Sequence, residues 1–176
     1  MPAFTQSEIL WSRLDVQALV FGHGLASVEV EQREACLAWL KREHYQVNSL
    51  DCSLGIKIFV EQFGEMFHWV EQFGYELSVE RRNLNAVHDG FSLEAPVSGR
   101  IVLELYRPDL LHAEDPEWLL GFLSIASEHT RFQLASGKRF LSLLVMPKNS
   151  DLIGQRVETV IVPHAHTGMG KGITFE

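Results

Sequence analysis

Apolar residues recur at helical spacing through the aromatic-rich stretch LGIKIFVEQFGEMFHWVEQFG, residues 54–74. They fall on one arc of a helix, which contains Ile56, Phe59, Phe63, Met66, Phe67, Val70 and Phe73. The pentapeptide VEQFG occurs at 60–64 and again at 70–74. Ten residues at about 100° each place the two copies roughly 80° apart around a helix. The pattern therefore predicts one amphipathic helix over residues 56–73 and not an internal repeat.

The chain before this helix shows a β-α-β pattern. Residues 18–21 form a short apolar run that ends at the turn Gly22-His23-Gly24, which is typical of a strand. Residues 30–44 carry Cys36 and Leu40 at helical spacing among charged residues, and residues 46–50 are extended in character.

The second half of the chain repeats the alternation of strand and helix. Residues 100–106 and 140–146 are apolar runs typical of buried strands, and residues 157–162 predict a further strand. Between the first two, Asp115 and Pro116 are a capping acid and a first-turn proline for a helix over 116–136, which Gly137 ends. A strand, a long helix and a strand predict a parallel pair with a right-handed crossover. The fold class is therefore α/β: a single domain with three to five mostly parallel strands packed with helices.

Residues 83–91, NLNAVHDGF, predict a short helix with two different faces. Leu84, Val87 and Phe91 recur at helical spacing and should be its buried stripe. Asn85 and Asp89 are four residues apart on the opposite side, so they should lie next to each other. The segment thus predicts a single carboxylate presented by a firmly anchored helix.

Bulk properties exclude several classes of protein. The 176 residues carry a formal net charge of −8, which argues against binding to a phosphate backbone and suits a basic partner. No apolar run reaches the length of a membrane span, and the N-terminus lacks the pattern of a secretory signal. Cys36 and Cys52 have no metal or redox spacing, so we expect reduced thiols and a cytoplasmic location.

Motifs for catalysis or cofactor binding are scarce. The run GMGKG, 168–172, lacks the spacing of a phosphate-binding loop, and His164 with His166 has no evident third metal ligand. Four acids at 109, 114, 115 and 117 are best interpreted as a solvated helix start. We therefore predict no cofactor, no metal and no enzyme, with His88 beside Asp89 as the best catalytic alternative.

From about residue 45 to residue 146 the chain resembles the barstar family of ribonuclease inhibitors. Residues 50–53, LDCS, look like the end of the first strand of that family, and residues 56–69 look like its first helix. The segment NLNAVHDGF is similar to the family motif N-L-D-A-L-x-D-C-L, and the later strand, helix and strand follow in the family order. The resemblance implies a barstar-like core at 45–146, an N-terminal arm and added β-α unit at 1–44, and a C-terminal strand and glycine-rich tail at 147–176.

The resemblance implies a role for the helix at 83–91. In that family this helix and the loop before it block the ribonuclease active site, and the second aspartate of the motif enters the pocket for substrate phosphate. Asp89 matches that aspartate, whereas Asn85 stands in place of the first one. The family's Tyr-Tyr-Gly approach is replaced by VERR, residues 79–82, whose arginines are candidates to pair with Asp89.

The expected function is therefore inhibition of a ribonuclease or related nuclease toxin, as an inhibitor or immunity protein. The expected partner-binding residues are Glu80, Arg81, Arg82, Asn85, His88 and Asp89. The alternative is an accessory protein-binding module with a barstar-like fold and no nuclease partner. The sequence leaves the oligomeric state open.

Overall fold

The computed structural model describes residues 13–91, 96–157 and 160–163. Its helices are α1 (Leu14–Val20), α2 (Arg33–Arg42), α3 (Gly55–Met66), α4 (Trp69–Phe73), α5 (Leu84–Gly90), α6 (Pro108–Glu114) and α7 (Pro116–Ala135). Its strands are β1 (Leu25–Val28), β2 (Gln46–Asp51), β3 (Arg100–Tyr106), β4 (Arg139–Val145), β5 (Arg156–Val157) and β6 (Val160–Ile161). Short 3-10 turns occupy Val30–Gln32, Cys52–Leu54 and Val79–Arg81.

One parallel sheet organises the chain. Within the described ranges it has four strands in the order β1-β4-β3-β2, and every pairing between neighbours is parallel. β3 and β4 align from Arg100 opposite Arg139 to Tyr106 opposite Val145, and α6 and α7 connect them. The predicted α/β class, the predicted single domain and the predicted parallel pair are confirmed.

Helices cover both faces of the sheet and make two layers of core. On one face α3, α4, α5 and α7 pack over Leu103 and Leu105, with Phe59, Phe63 and Phe122 at the centre. On the other face α1 and α2 pack over Val102, Leu141 and Leu143. Since the central strands are buried on both faces, they appear in the sequence as nearly unbroken apolar runs.

The N-terminal strand was predicted in the wrong place. Residues 18–20 belong to α1, because Leu14, Ala18 and Leu19 have helical spacing and are all buried. The predicted turn is present, with φ of 48° at His23 and 88° at Gly24, and the strand β1 follows it. The helix predicted over 30–44 is present as α2 after a 3-10 turn, and the strand predicted over 46–50 is β2.

The long helix predicted over 56–73 is broken. α3 ends at Met66, and His68 adopts a left-handed backbone with φ of 51° before α4 begins. The break allows both Phe67 and Trp69 to be buried, but it rotates Val70 out of the apolar arc, so this residue is 54% exposed. The two VEQFG copies therefore lie in two different helices.

Two features after β3 also differ from the predictions. Arg107 has a φ of 58°, and Pro108 then starts α6, a helix that the sequence did not predict. The single strand predicted over 157–162 is wrong, because β5 and β6 pair with each other as a small antiparallel sheet. His164, His166 and the run at 168–172 lie outside the described residues.

Candidate protein-interaction site

The local sequence of α5 fixes both its start and its buried side. The Oδ1 atom of Asn83 accepts a hydrogen bond of 2.8 Å from the backbone N–H of Asn85, which caps the helix. Val87 and Phe91 are buried as predicted, and Leu84 packs against the buried cluster from a partly exposed position. A Cβ atom at Gly121 of α7 would lie 2.4 Å from Cδ1 of Leu84, so α5 and α7 are in close contact.

The last turn of α5 is anchored on α4. A Cβ atom at Gly90 would lie 2.7 Å from Cζ3 of Trp69 and 2.8 Å from Cε2 of Phe73. Only glycine permits this approach, because any larger residue would overlap two aromatic rings. The position of α5 is therefore set from both of its neighbours, α4 and α7.

The outer side of α5 carries Asn85, His88 and Asp89. Asn85 is exposed, and the Asp89 side chain is 75% exposed. His88 lies between two carboxylates, with Nδ1 3.7 Å from Oδ1 of Asp89 and Nε2 3.3 Å from Oε2 of Glu128 in α7. These three residues, all predicted to bind a partner, lie on one accessible face of α5. The four-residue spacing had predicted this for Asn85 and Asp89.

A second histidine lies under this face. The ring of His129 in α7 is 5.4 Å from the ring of His88 and 4.6 Å from the ring of Phe91. Burial lowers the pKa of His129 below its ordinary value, although a hydrogen bond with the backbone of His88 opposes this shift. A neutral imidazole at this position suits its packing between α5 and α7.

Arg82 points into the fold and does not pair with Asp89. Its Nη2 atom is 2.7 Å from Oδ2 of Asp115, and its Nη1 atom also donates to the carbonyl of Val79. The indole N–H of Trp118 donates to the carbonyl of Arg82 at 2.8 Å. Arg82 therefore ties the turn before α5 to the start of α7.

Arg81 and Glu80 lie on the exposed side of the same turn. The guanidinium of Arg81 is 5.5 Å from the ring centre of Tyr75, a cation–π distance. The carboxylate of Glu80 accepts a 2.9 Å hydrogen bond from the Ser78 hydroxyl. The hydrogen bond from its own backbone N–H and the one from Ser78 lower the pKa of Glu80. Glu80 is therefore ionised at neutral pH.

Much of the acidic patch near α7 stabilises the fold. Asp109 pairs with Arg107 at 2.8 Å, and Asp115 caps α7 through the N–H of Trp118 as predicted. Oε2 of Glu114 accepts a 2.9 Å hydrogen bond from the backbone N–H of Ile56 at the start of α3. These carboxylates have partners within the molecule, so they are poor candidates for a partner site.

Two buried carboxylates were not predicted from the sequence. Glu104 of β3 is fully buried and bonds to Arg33 at 2.5 Å and to the Ser49 hydroxyl at 2.5 Å. Asp15 of α1 is fully buried and bonds to Arg13 and Arg139 at 2.9 and 3.1 Å. The sequence did contain a clue to the first of these, because Glu104 is a charged residue inside the apolar strand RIVLELY. A carboxylate buried in such a strand requires a partner.

Among the described residues, no group of three or more His, Cys, Asp or Glu side chains is placed to hold a metal ion. Within the same ranges no helix combines the length and apolarity needed to cross a membrane. Comparison with protein-family models, curated proteins and solved structures gives no match to this chain.

Proposed function

We propose that the chain is an inhibitory binding protein that blocks the active site of a ribonuclease or related nuclease toxin through α5 and Asp89. The observation that carries this proposal is the 75% exposed carboxylate of Asp89 on a helix anchored by α4 and α7. A charge held in place before binding loses little conformational entropy when the complex forms.

The contacts of the two arginines support this role for Asp89. The sequence made Arg81 and Arg82 candidates to pair with Asp89, but Arg82 pairs with Asp115 and Arg81 lies over Tyr75. Within the described part of the chain, the side chain at ion-pair distance from Asp89 is His88, which Glu128 also approaches. The outer side of α5 thus remains acidic, and the net charge of −8 favours approach by a basic nuclease.

The direct experiment is an RNA-cleavage assay with small basic ribonucleases of the kind that barstar-family proteins inhibit, together with affinity capture from native cells. The proposal predicts stoichiometric inhibition that Asp89→Ala weakens. Asp151→Ala is the matched control, because Asp151 is an exposed acid in the turn after β4. Capture of a partner without nuclease activity would instead favour the accessory binding module.

A further inference from the structure

An acidic cleft with a volume of about 470 Å³ lies where α3 meets α4. None of its lining residues belongs to α5. Four glutamates border it together with small, aromatic and aliphatic residues; the lining is Glu61, Gly64, Glu65, His68, Trp69, Val70, Glu71, Glu76 and Leu77. The cleft exists because His68 breaks the helix and turns α4 away from the axis of α3.

The negative charge of the cleft is only partly balanced. Lys57 reaches Glu61 at 4.0 Å, and the His68 imidazole is 3.9 Å from Glu71. Glu65 and Glu76 have no ion-pair partner among the residues described here, and both are exposed. The cleft therefore favours a ligand that carries positive charge.

Trp69 provides a second indication of a ligand. The residue borders the cleft but is only 1% exposed, and its indole N–H has no acceptor within the described part of the chain. The benzene edge of its indole faces Gly90 of α5, so the nitrogen lies on the edge directed away from α5. A buried donor without an acceptor costs free energy, which a ligand carbonyl would recover.

We propose that this cleft binds a peptide segment that contains an arginine or lysine. The cation lies between Glu65 and Glu76, and its aliphatic stem packs along Val70 and Leu77. A backbone carbonyl of the peptide accepts the hydrogen bond of Trp69. This site is separate from the face of α5, so it does not depend on the proposed inhibition of a nuclease.

The experiment is an NMR titration of the ¹⁵N-labelled chain with Nα-acetyl-arginine N-methylamide, which supplies both a guanidinium and carbonyl acceptors. We expect shifts at the backbone N–H of Gly64 and at the indole N–H of Trp69, assigned with Trp69→Phe. The uncharged citrulline analogue should bind at least about fivefold more weakly, because it lacks the ionic contacts.

Two variants separate this site from α5. The double variant Glu65→Gln, Glu76→Gln should weaken binding of the arginine probe about five- to tenfold, whereas Asp89→Asn should leave it unchanged. Equal affinity for arginine and citrulline, no effect of the double variant, or no shift of the Trp69 indole would overturn the proposal. Loss of binding in Asp89→Asn would also overturn it, because the probe would then occupy the face of α5.

Discussion

The charged side chain of Asp89 does not take part in the packing of α5. Its side chain is exposed, whereas Val87 and Phe91 hold α5 in place. Asp89→Ala should change the free energy of unfolding by no more than about 0.5 kcal/mol. Loss of its charged contact in a dry interface should weaken nuclease binding by on the order of 2 kcal/mol, about 30-fold. Thermal melts and titration calorimetry measure the two effects.

Asn85→Asp is the companion change on the same face of α5. A second carboxylate four residues before Asp89 should strengthen binding to a basic nuclease and accelerate association at low salt. The measurement is the association rate at two salt concentrations, with Asn149→Asp, which adds the same charge in the exposed turn after β4, as the control for net charge. An association rate that does not depend on salt in any variant would contradict electrostatic attraction.

The cysteines should be unreactive while the protein is folded. Both are free and buried, and burial, with a smaller contribution from Glu104, raises the pKa of Cys36 to about 12. Burial also raises the pKa of Cys52. Because the thiolate is the nucleophile, neither should be alkylated at about pH 8 until denaturant is added. Mass spectrometry after iodoacetamide treatment tests this, and rapid labelling of the native chain would contradict it.

Residue-level prediction from sequence succeeded where the determinant was local. Helical spacing alone predicted that Val87 is buried and that Asn85 and Asp89 are exposed, and the structure agrees. Helical spacing did not predict the partner of Arg82, because Asp115 is 33 positions away and the pairing depends on how α7 packs. The same holds for Asp15, whose partner Arg139 is 124 positions away.

At the scale of helices, a glycine-to-alanine substitution should have opposite effects on stability at two positions. Gly90→Ala should destabilise the protein by about 1–3 kcal/mol, because the new methyl group would overlap Trp69 and Phe73. Gly64→Ala is the matched control inside α3, where the nearest atom to a Cβ is 3.4 Å away. It should be neutral or stabilising by up to about 1 kcal/mol. Urea unfolding compares them, and equal destabilisation would contradict the close contact at Gly90.

The elements predicted correctly have uninterrupted patterns and clear end signals, as α7 shows with Asp115 and Gly137. The break at His68 was not predictable from periodicity, since its neighbours Phe67 and Trp69 are apolar whether the helix continues or bends. α1 was missed because part of its apolar stripe lies before residue 18, and α6 was missed because seven residues are too few to show a clear helical period.

At the scale of the whole molecule, stability should depend on acid through Asp15. Burial alone would raise the pKa of Asp15, but Arg13, assisted by Tyr45 and Arg139, lowers it below its ordinary value of 3.8. The folded-state pKa is the lower one, so this stabilisation is complete above about pH 4 and is lost as the pH falls through the folded-state pKa. Urea unfolding between about pH 7 and about pH 3 should show this loss.

Asp15→Asn tests the source of the acid sensitivity. Removing the carboxylate takes one ion-pair partner from the buried Arg139, which should cost about 3 kcal/mol at neutral pH. The variant should then lose less stability on acidification than the native chain. The exposed Asp151→Asn should match the native chain in both respects, and an unchanged acid response in Asp15→Asn would assign the effect to other carboxylates.

β2 is an edge strand of the sheet, and its polar residues affect whether a strand of another chain can pair with it. Gln46 and Ser49 are exposed polar residues on this strand, and the backbone N–H of Asp51 is bonded to the side chain of Gln62 in α3. Strand edges that carry polar groups and covered amides are poor templates for another strand. Two chains at high concentration are thereby discouraged from joining through β2.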